Sequence, residues 1–262
     1  MYNKYITIIT AENKERYLSD TISSCLKQLS ILDIKIYVVY TKLYNENILK
    51  QKFKNNNNII FIKSVFKKKL PTQDQLFKIE SVLKYINNEW ILLLDGDDLF
   101  KSNKIKTLNE LKLDKKKMYL HNHEKIYGNK IGIEKEKKYK NNFLYKKFFN
   151  DWPQKINTSS ILISGNLLKK FYRNHNPYFW RYLAIDVQIV LYYFYEKKFK
   201  FLNNILTSKK EDINNLDKTF SGLKNKNFWI RRFEQHELTR ILSGKKNLID
   251  RYLTLILMKI FK

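Results

Sequence analysis

Residues 90–98 read Trp-Ile-Leu-Leu-Leu-Asp-Gly-Asp-Asp. A short, continuously apolar run of this length suits a strand buried on both faces, as in a parallel sheet. In open α/β sheets, ligands bind in the crevice at the carboxyl ends of the strands. Asp95, Asp97 and Asp98 stand at that end, and packed together they repel unless a cation lies among them. Gly96 lets the backbone turn tightly there. A hard divalent cation such as Mn²⁺ or Mg²⁺ takes oxygen ligands and often bridges phosphates, which is what a nucleotide diphosphate leaving group requires. The competing reading is a turn with solvent-facing Asp. A lone Asp-x-Asp is common; directly after WILLL it is far more specific. An EF-hand is excluded, because its sixth and twelfth positions need Gly and Glu and are here Phe100 and Lys106.

The segments around this run alternate strand and helix. Tyr5 to Thr10, Ile34 to Tyr40 and Asn58 to Ile62 are β-rich. Arg16 to Leu29 places its apolar residues near helical spacing, and Thr72-Gln73-Asp74-Gln75 after Pro71 has the form of a capping box opening a helix over Leu76 to Ile86. This alternation implies an α/β domain with a mostly parallel sheet. Beyond Asp98 the pattern loosens. Met118 to His123 and Ser160 to Ile163 read as strands, Tyr127 to Lys130 as a turn and Lys135 to Asn142 as a polar loop. Leu167 to Tyr172, Ile185 to Tyr195, Phe228 to Leu242 and Leu248 to Phe261 read as helices. One catalytic domain over 1–212 with a helical extension over 213–262 is the simplest division.

The chain has 262 residues, enough to bury a full core, and its single cysteine, Cys25, excludes an internal disulfide and a Cys-based zinc site. The first residues lack the pattern of a signal peptide, and no apolar stretch reaches the ~18 residues needed to cross a bilayer. A cytoplasmic protein is expected, free or peripheral on the inner face of a membrane. The formal net charge of +26 raises a nucleic-acid-binding reading. Much of that charge lies in scattered Lys runs within a Lys-, Asn- and Ile-rich chain, so solvated faces account for it better. The remainder could attract an anionic membrane or an anionic, lipid-linked substrate.

WILLLDGDDLF resembles the aspartate motif of the inverting family 2 glycosyltransferases. ITIITAENKERYLSDTISSCLKQ is similar to the first strand, short loop and first helix of that family. The likeness continues at NTSSILISGNLLKKF and AIDVQIVLYYFYEKKFKFLNN, covering roughly four-fifths of the chain. It implies a GT-A-like fold: an α/β, Rossmann-like mixed sheet flanked by helices, here with a C-terminal helical tail. It also implies a nucleotide-sugar donor, of the UDP or GDP type, and a divalent metal, Mn²⁺ or Mg²⁺. The acceptor would be a glycan or a lipid-linked species in surface polysaccharide or lipooligosaccharide assembly, with no nucleic acid involved. By the resemblance Asp97 is the direct metal ligand, Asp95 reaches the nucleotide ribose and Asp98 supports the site. Thr10, Ala11, Glu12, Asn13 and Gly96 line the donor pocket. Asp186 is the general base that deprotonates the acceptor hydroxyl. Read from the residues alone, Asp186 serves equally as a carboxylate complementing a helix N-terminus.

The chain departs from the family's pattern in three places. Val39-Tyr40-Thr41 replaces the usual Asp after the second strand, so either Tyr40 stacks on the base or the base is recognised elsewhere. Phe66 to Leu70 replaces a Gly-rich turn, and residue 185 is Ile rather than Glu. Other features stay open. His236 is either a further metal ligand or a surface or interhelical histidine. His121 and His123 share a strand face, with a polar strand edge favoured over a metal site. Arg231 and Arg232 suit either a phosphate or solvent. The aromatic loop from Asn174 to Tyr182 is either an acceptor platform or a packed loop. The final helix either lies on a membrane surface or packs on the domain. A nucleotidyltransferase and a non-catalytic basic nucleic-acid-binding protein are the rival functions.

Overall fold

The computed structural model describes residues 4–11, 15–28, 34–43, 45–65, 70–127, 130–133, 152–153, 156–210, 222–244 and 249–261. Nine strands form one sheet: β1 (Tyr5–Ala11), β2 (Ile34–Tyr40), β3 (Ile59–Lys63), β4 (Trp90–Asp95), β5 (Leu99–Phe100), β6 (Met118–Tyr127), β7 (Lys130–Ile133), β8 (Ile161–Ser164) and β9 (Phe199–Lys210). Their order is β3-β2-β1-β4-β8-β6-β9-β5, with β7 paired to β6. The first four are parallel, with α1 (Glu15–Leu26), α2 (Glu46–Lys52) and α3 (Pro71–Val82) as crossovers. β8 then joins β4 antiparallel, so the sheet is mixed, and the mostly parallel expectation holds only for this first half. The other α-helices of the described residues are α4 (Lys104–Glu110), α5 (Gly165–Asn174), α6 (Ile185–Tyr195), α7 (Lys226–Ser243) and α8 (Ile249–Ile260).

Alternation along each parallel strand builds two cores. Tyr5, Ile9, Ile36, Val38, Trp90, Leu92 and Leu94 point to the α1 and α2 side, with Leu18, Ile22 and the buried Cys25. Ile6, Ile8, Tyr37, Val39, Ile91 and Leu93 point to the α3, α5 and α6 side. WILLL is therefore a doubly covered strand. Gly165 joins β8 to α5 where only hydrogen fits: a Cβ there would lie 2.2 Å from the Asn87 carbonyl oxygen.

Two local expectations are corrected. No capping box opens α3. Pro71 occupies the first turn, where its missing N–H costs nothing, and Leu70 caps without a side-chain bond. The Thr72 hydroxyl, already inside the helix, donates to the Arg181 carbonyl at 3.0 Å. β6 is not a polar edge either: it runs between β8 and β9, and His121 and His123 are buried. The turn residues 128–129, the loop 135–142 and the 212/213 boundary lie outside the described residues. α7 nonetheless packs on α6, where Trp180, Leu183, Leu191 and Leu238 form a third cluster. No described helix is long and apolar enough to cross a membrane.

Candidate active site

The strand order reverses between β1 and β4, and there Thr10 and Asp95 are direct neighbours in register. This is the switch-point crevice in which α/β sheets hold ligands. Gln75 of α3 reaches into it: its amide donates to Asp95 Oδ1 at 2.7 Å and to Thr10 Oγ1 at 3.3 Å. Thr10 Oγ1 in turn donates to Asp95 Oδ1 at 3.4 Å. Asp95 is thus held from two elements. Gly96 closes against β1, its amide donating to the Thr10 carbonyl at 3.0 Å. A Cβ on Gly96 would sit 3.2 Å from the Ala11 Cα, so close approach explains the glycine.

The chain then turns, the Asp98 amide donating to the Asp95 carbonyl at 3.1 Å. Asp98 is buried. Its Oδ1 accepts the Lys210 amide at 3.2 Å, while Oδ2 finds no hydrogen-bond partner. Burial and the Asp97 charge push its carboxyl up to about 7, against the Ser159 hydroxyl, the Lys209 charge and the Lys210 amide. Burial also pushes Asp95 well above the usual carboxylate range, and the charges of Asp98, Asp97 and Asp186 add to this. Beneath the turn, the Asp95 amide donates to Ser159 Oγ at 2.9 Å. The fully buried Lys104 ammonium donates to the Ser159 carbonyl at 3.2 Å and to Thr207 Oγ1 at 3.0 Å. Burial lowers Lys104 to about 7. The floor of the turn is therefore a fixed polar network built around Lys104.

Asp186 enters from a separate element. It is the second residue of α6, whose N-cap, Ala184, makes no side-chain bond. Its Oδ1 accepts the Val187 amide at 2.7 Å, as expected of a carboxylate at a helix N-terminus. Its charge also acts on Asp95. The loop before it is fastened from both sides. The Tyr178 hydroxyl donates to Glu80 of α3. Glu234 of α7 accepts the amides of Arg181, Tyr182 and Leu183 at 3.0, 2.7 and 2.8 Å. Phe179 remains exposed on this loop, and Trp180 is buried.

The structure thus gathers Thr10, Asp95, Gly96, Asp97, Asp98 and Asp186. Ala11 is buried, and its carbonyl accepts the Lys78 ammonium at 2.7 Å. Glu12 and Asn13 lie outside the described residues. Tyr40 does not present a face for stacking: its ring is in the core and its hydroxyl donates to Glu46 at 2.5 Å. The residue beside it at that edge is Thr41, which donates to Asp74 Oδ1 at 2.9 Å. His236 is buried between α7 and α8, with Nδ1 3.7 Å from Asp250 and the ring 4.6 Å from that of Trp152. Gln75, Ser159, Lys104, Lys209 and Glu234 are the participants that sequence reasoning missed. For Gln75 the signal was present and was assigned to a cap.

Among the described residues no three His, Cys, Asp or Glu side chains form a ready metal-ligand set. The residues nevertheless fit a hard cation that takes its remaining ligands from phosphate. The unpartnered Asp98 Oδ2 and the mutual repulsion of the carboxylates are both relieved by a positive ion.

No protein-family profile matches the sequence, and no curated protein matches it. Solved structures do. S. aureus TarS 1-349 in complex with UDP-GlcNAc has a TM-score of 0.63 at 14% identity, over 98% of this chain and 71% of that one. The mannosyltransferase PcManGT from Pyrobaculum calidifontis in complex with GDP-Man and Mn²⁺ has a TM-score of 0.57 at 9% identity, over 99% of this chain and 70% of that one. The chain therefore shares a GT-A-like fold with both.

Proposed function

We propose that the chain is a metal-dependent glycosyltransferase that transfers a sugar from a nucleotide-sugar donor with inversion. The observation that carries this reading is the crowding of Asp95, Asp97 and Asp98 at the switch point, where the charge of Asp186 also reaches Asp95 and Asp98 Oδ2 is buried with no hydrogen-bond partner. The fold likeness to proteins solved with UDP-GlcNAc and with GDP-Man and Mn²⁺ supports it. Asp97 and Asp98 would hold Mn²⁺ or Mg²⁺, which when bound supplies charge neutralisation to the departing diphosphate. Asp95, oriented by Gln75 and Thr10, accepts hydrogen bonds from the nucleotide ribose. Lys209, whose charge already reaches Asp95 and Asp98, adds a cation on the phosphate side. Asp186 takes the proton of the acceptor hydroxyl as that oxygen attacks the anomeric carbon from the face opposite the leaving diphosphate. A glycan or lipid-linked acceptor in surface-glycan assembly fits the exposed aromatic loop beside it. His236 serves helix packing in this reading.

The test is a thermal-shift panel of nucleoside diphosphates and nucleotide-sugars with Mn²⁺, Mg²⁺ or chelator. A ligand at 100 times its Kd should stabilise by about 2.7 kcal/mol. The expected result is a metal-dependent shift with one nucleotide that Asp97→Ala abolishes. An unchanged shift in that variant would remove Asp97 from the metal site. Pyrophosphate rather than nucleoside diphosphate as product would favour a nucleotidyltransferase.

A further inference from the structure

Among the described residues, the C-terminal helix turns an apolar face to solvent. α8 packs against α7 through its only buried residue, Thr254, and through the stacked rings of Trp229 and Phe261. On the other side, Ile249, Tyr252, Leu253, Ile256 and Ile260 are between 44% and 63% exposed. At 3.6 residues per turn these five positions fall within an arc of about 100°. Thr254 lies on the opposite side of the helix, and exposed Lys259 sits at the flank of the arc. Monomeric soluble proteins rarely leave a continuous apolar stripe of this kind uncovered.

We infer that this face seats the protein on an anionic lipid surface, with α8 lying in the headgroup plane. Charge decides between the occupants. The chain carries 51 Lys and Arg against 25 Asp and Glu. Within the described part of the helical extension there are seven Lys or Arg and three Asp or Glu. A second copy would bring +26 against +26, whereas a negative bilayer gains attraction as the apolar stripe is buried. Length agrees. The helix has 12 residues and is about 18 Å long, too short to span a bilayer and ample to lie in its interface. Lys and Arg stems bury their methylenes while their heads reach lipid phosphates. This inference stands apart from the transferase reading, since it uses no residue of the carboxylate cluster.

The experiment is co-sedimentation of the full chain with vesicles of phosphatidylcholine alone, or with one third phosphatidylglycerol, at low and high salt. Wild type is expected to bind the anionic vesicles, to bind less at high salt, and to leave the zwitterionic ones. The double variant Leu253→Glu/Ile256→Glu should bind at least about tenfold more weakly, since two apolar side chains no longer enter the interface. Its Tm should be unchanged, because both side chains already face solvent. Lys259→Glu, which leaves the stripe intact, should show a smaller loss that salt abolishes. Equal binding by wild type and the double variant would overturn the inference in favour of general basic adhesion. A wild-type dimer in sedimentation equilibrium that the double variant abolishes would assign the face to a second copy. No wild-type binding to anionic vesicles at low salt would overturn it outright.

Discussion

Acidic side chains are arranged in opposite ways at the two ends of this molecule. At the end of β4, Asp95, Asp97 and Asp98 crowd together with Asp186, and two of them are raised well above the usual carboxylate range. In the α7–α8 hairpin, Glu237 sits between Arg240 at 3.0 Å and Arg251, and Asp250 faces His236. The hairpin pairs Glu237 with arginines on both sides. The β4 cluster instead crowds like charges, although Lys104 lies in its floor and Lys209 nearby. Like charges held together by a rigid backbone cost stability, and a fold tolerates them where a ligand of opposite charge completes the site. Residue type alone does not separate the two regions; what surrounds each carboxylate does.

The comparison is broken most sharply at Asp186. Asp186→Asn keeps a side chain that can cap α6 but cannot take a proton. Turnover is expected to fall about a thousandfold with donor binding retained. Near-normal turnover would reduce Asp186 to a helix-terminus carboxylate. Next in size is the apo protein's response to pH. Asp98 holds a proton in the folded state between its ordinary 3.8 and about 7 that the unfolded chain has released. Stability should therefore fall as pH rises through that window, by at most about 4 kcal/mol. Asp98→Asn should flatten this slope in urea titrations with chelator present, and an unchanged slope would assign it to other groups. The hairpin predicts the reverse slope. Burial lowers His236 to about 3, so its contribution is lost as pH falls below its ordinary 6.5, and His236→Gln should remove that dependence. The smallest effect is expected for Glu237→Gln, about 1 kcal/mol, because the ion pairs it loses are partly exposed and screened. A larger loss would mean that the hairpin supports more than itself.

The parallel half was legible because its signals are local and redundant. β2 and α6 fall on the expected residues, and β1 and β4 run only one residue further. β9 was missed. Asn203, Asn204 and three lysines interrupt its apolar pattern, and it follows β6 only through a register shift near His121 to His123. α2 and α4, seven residues each, are too short to show a period. In the candidate site, Asp95, Asp97 and Asp98 stand out because like residues in a short motif are visible in one dimension, whereas Asp186 is singled out only by the family resemblance. Gln75, Ser159 and Lys104 act through contacts 20, 64 and 55 residues apart in the chain, which no spacing rule reports. The place of Tyr40 after the second strand suggests stacking on the base, yet its alternation with Val39 turns the ring into the α1 and α2 core.

The bond between Glu234 and the three amides ahead of α6 also has a direction in time. The carboxylate follows those amides by 51 to 53 residues, and a growing chain exposes the loop before it has the means to hold it. The strands and helix that carry Thr10, Gln75 and Asp95 have all left the ribosome by then. The β1 and β4 side of the crevice thus precedes α7 in the chain, whereas the loop ahead of Asp186 waits for α7 to be held.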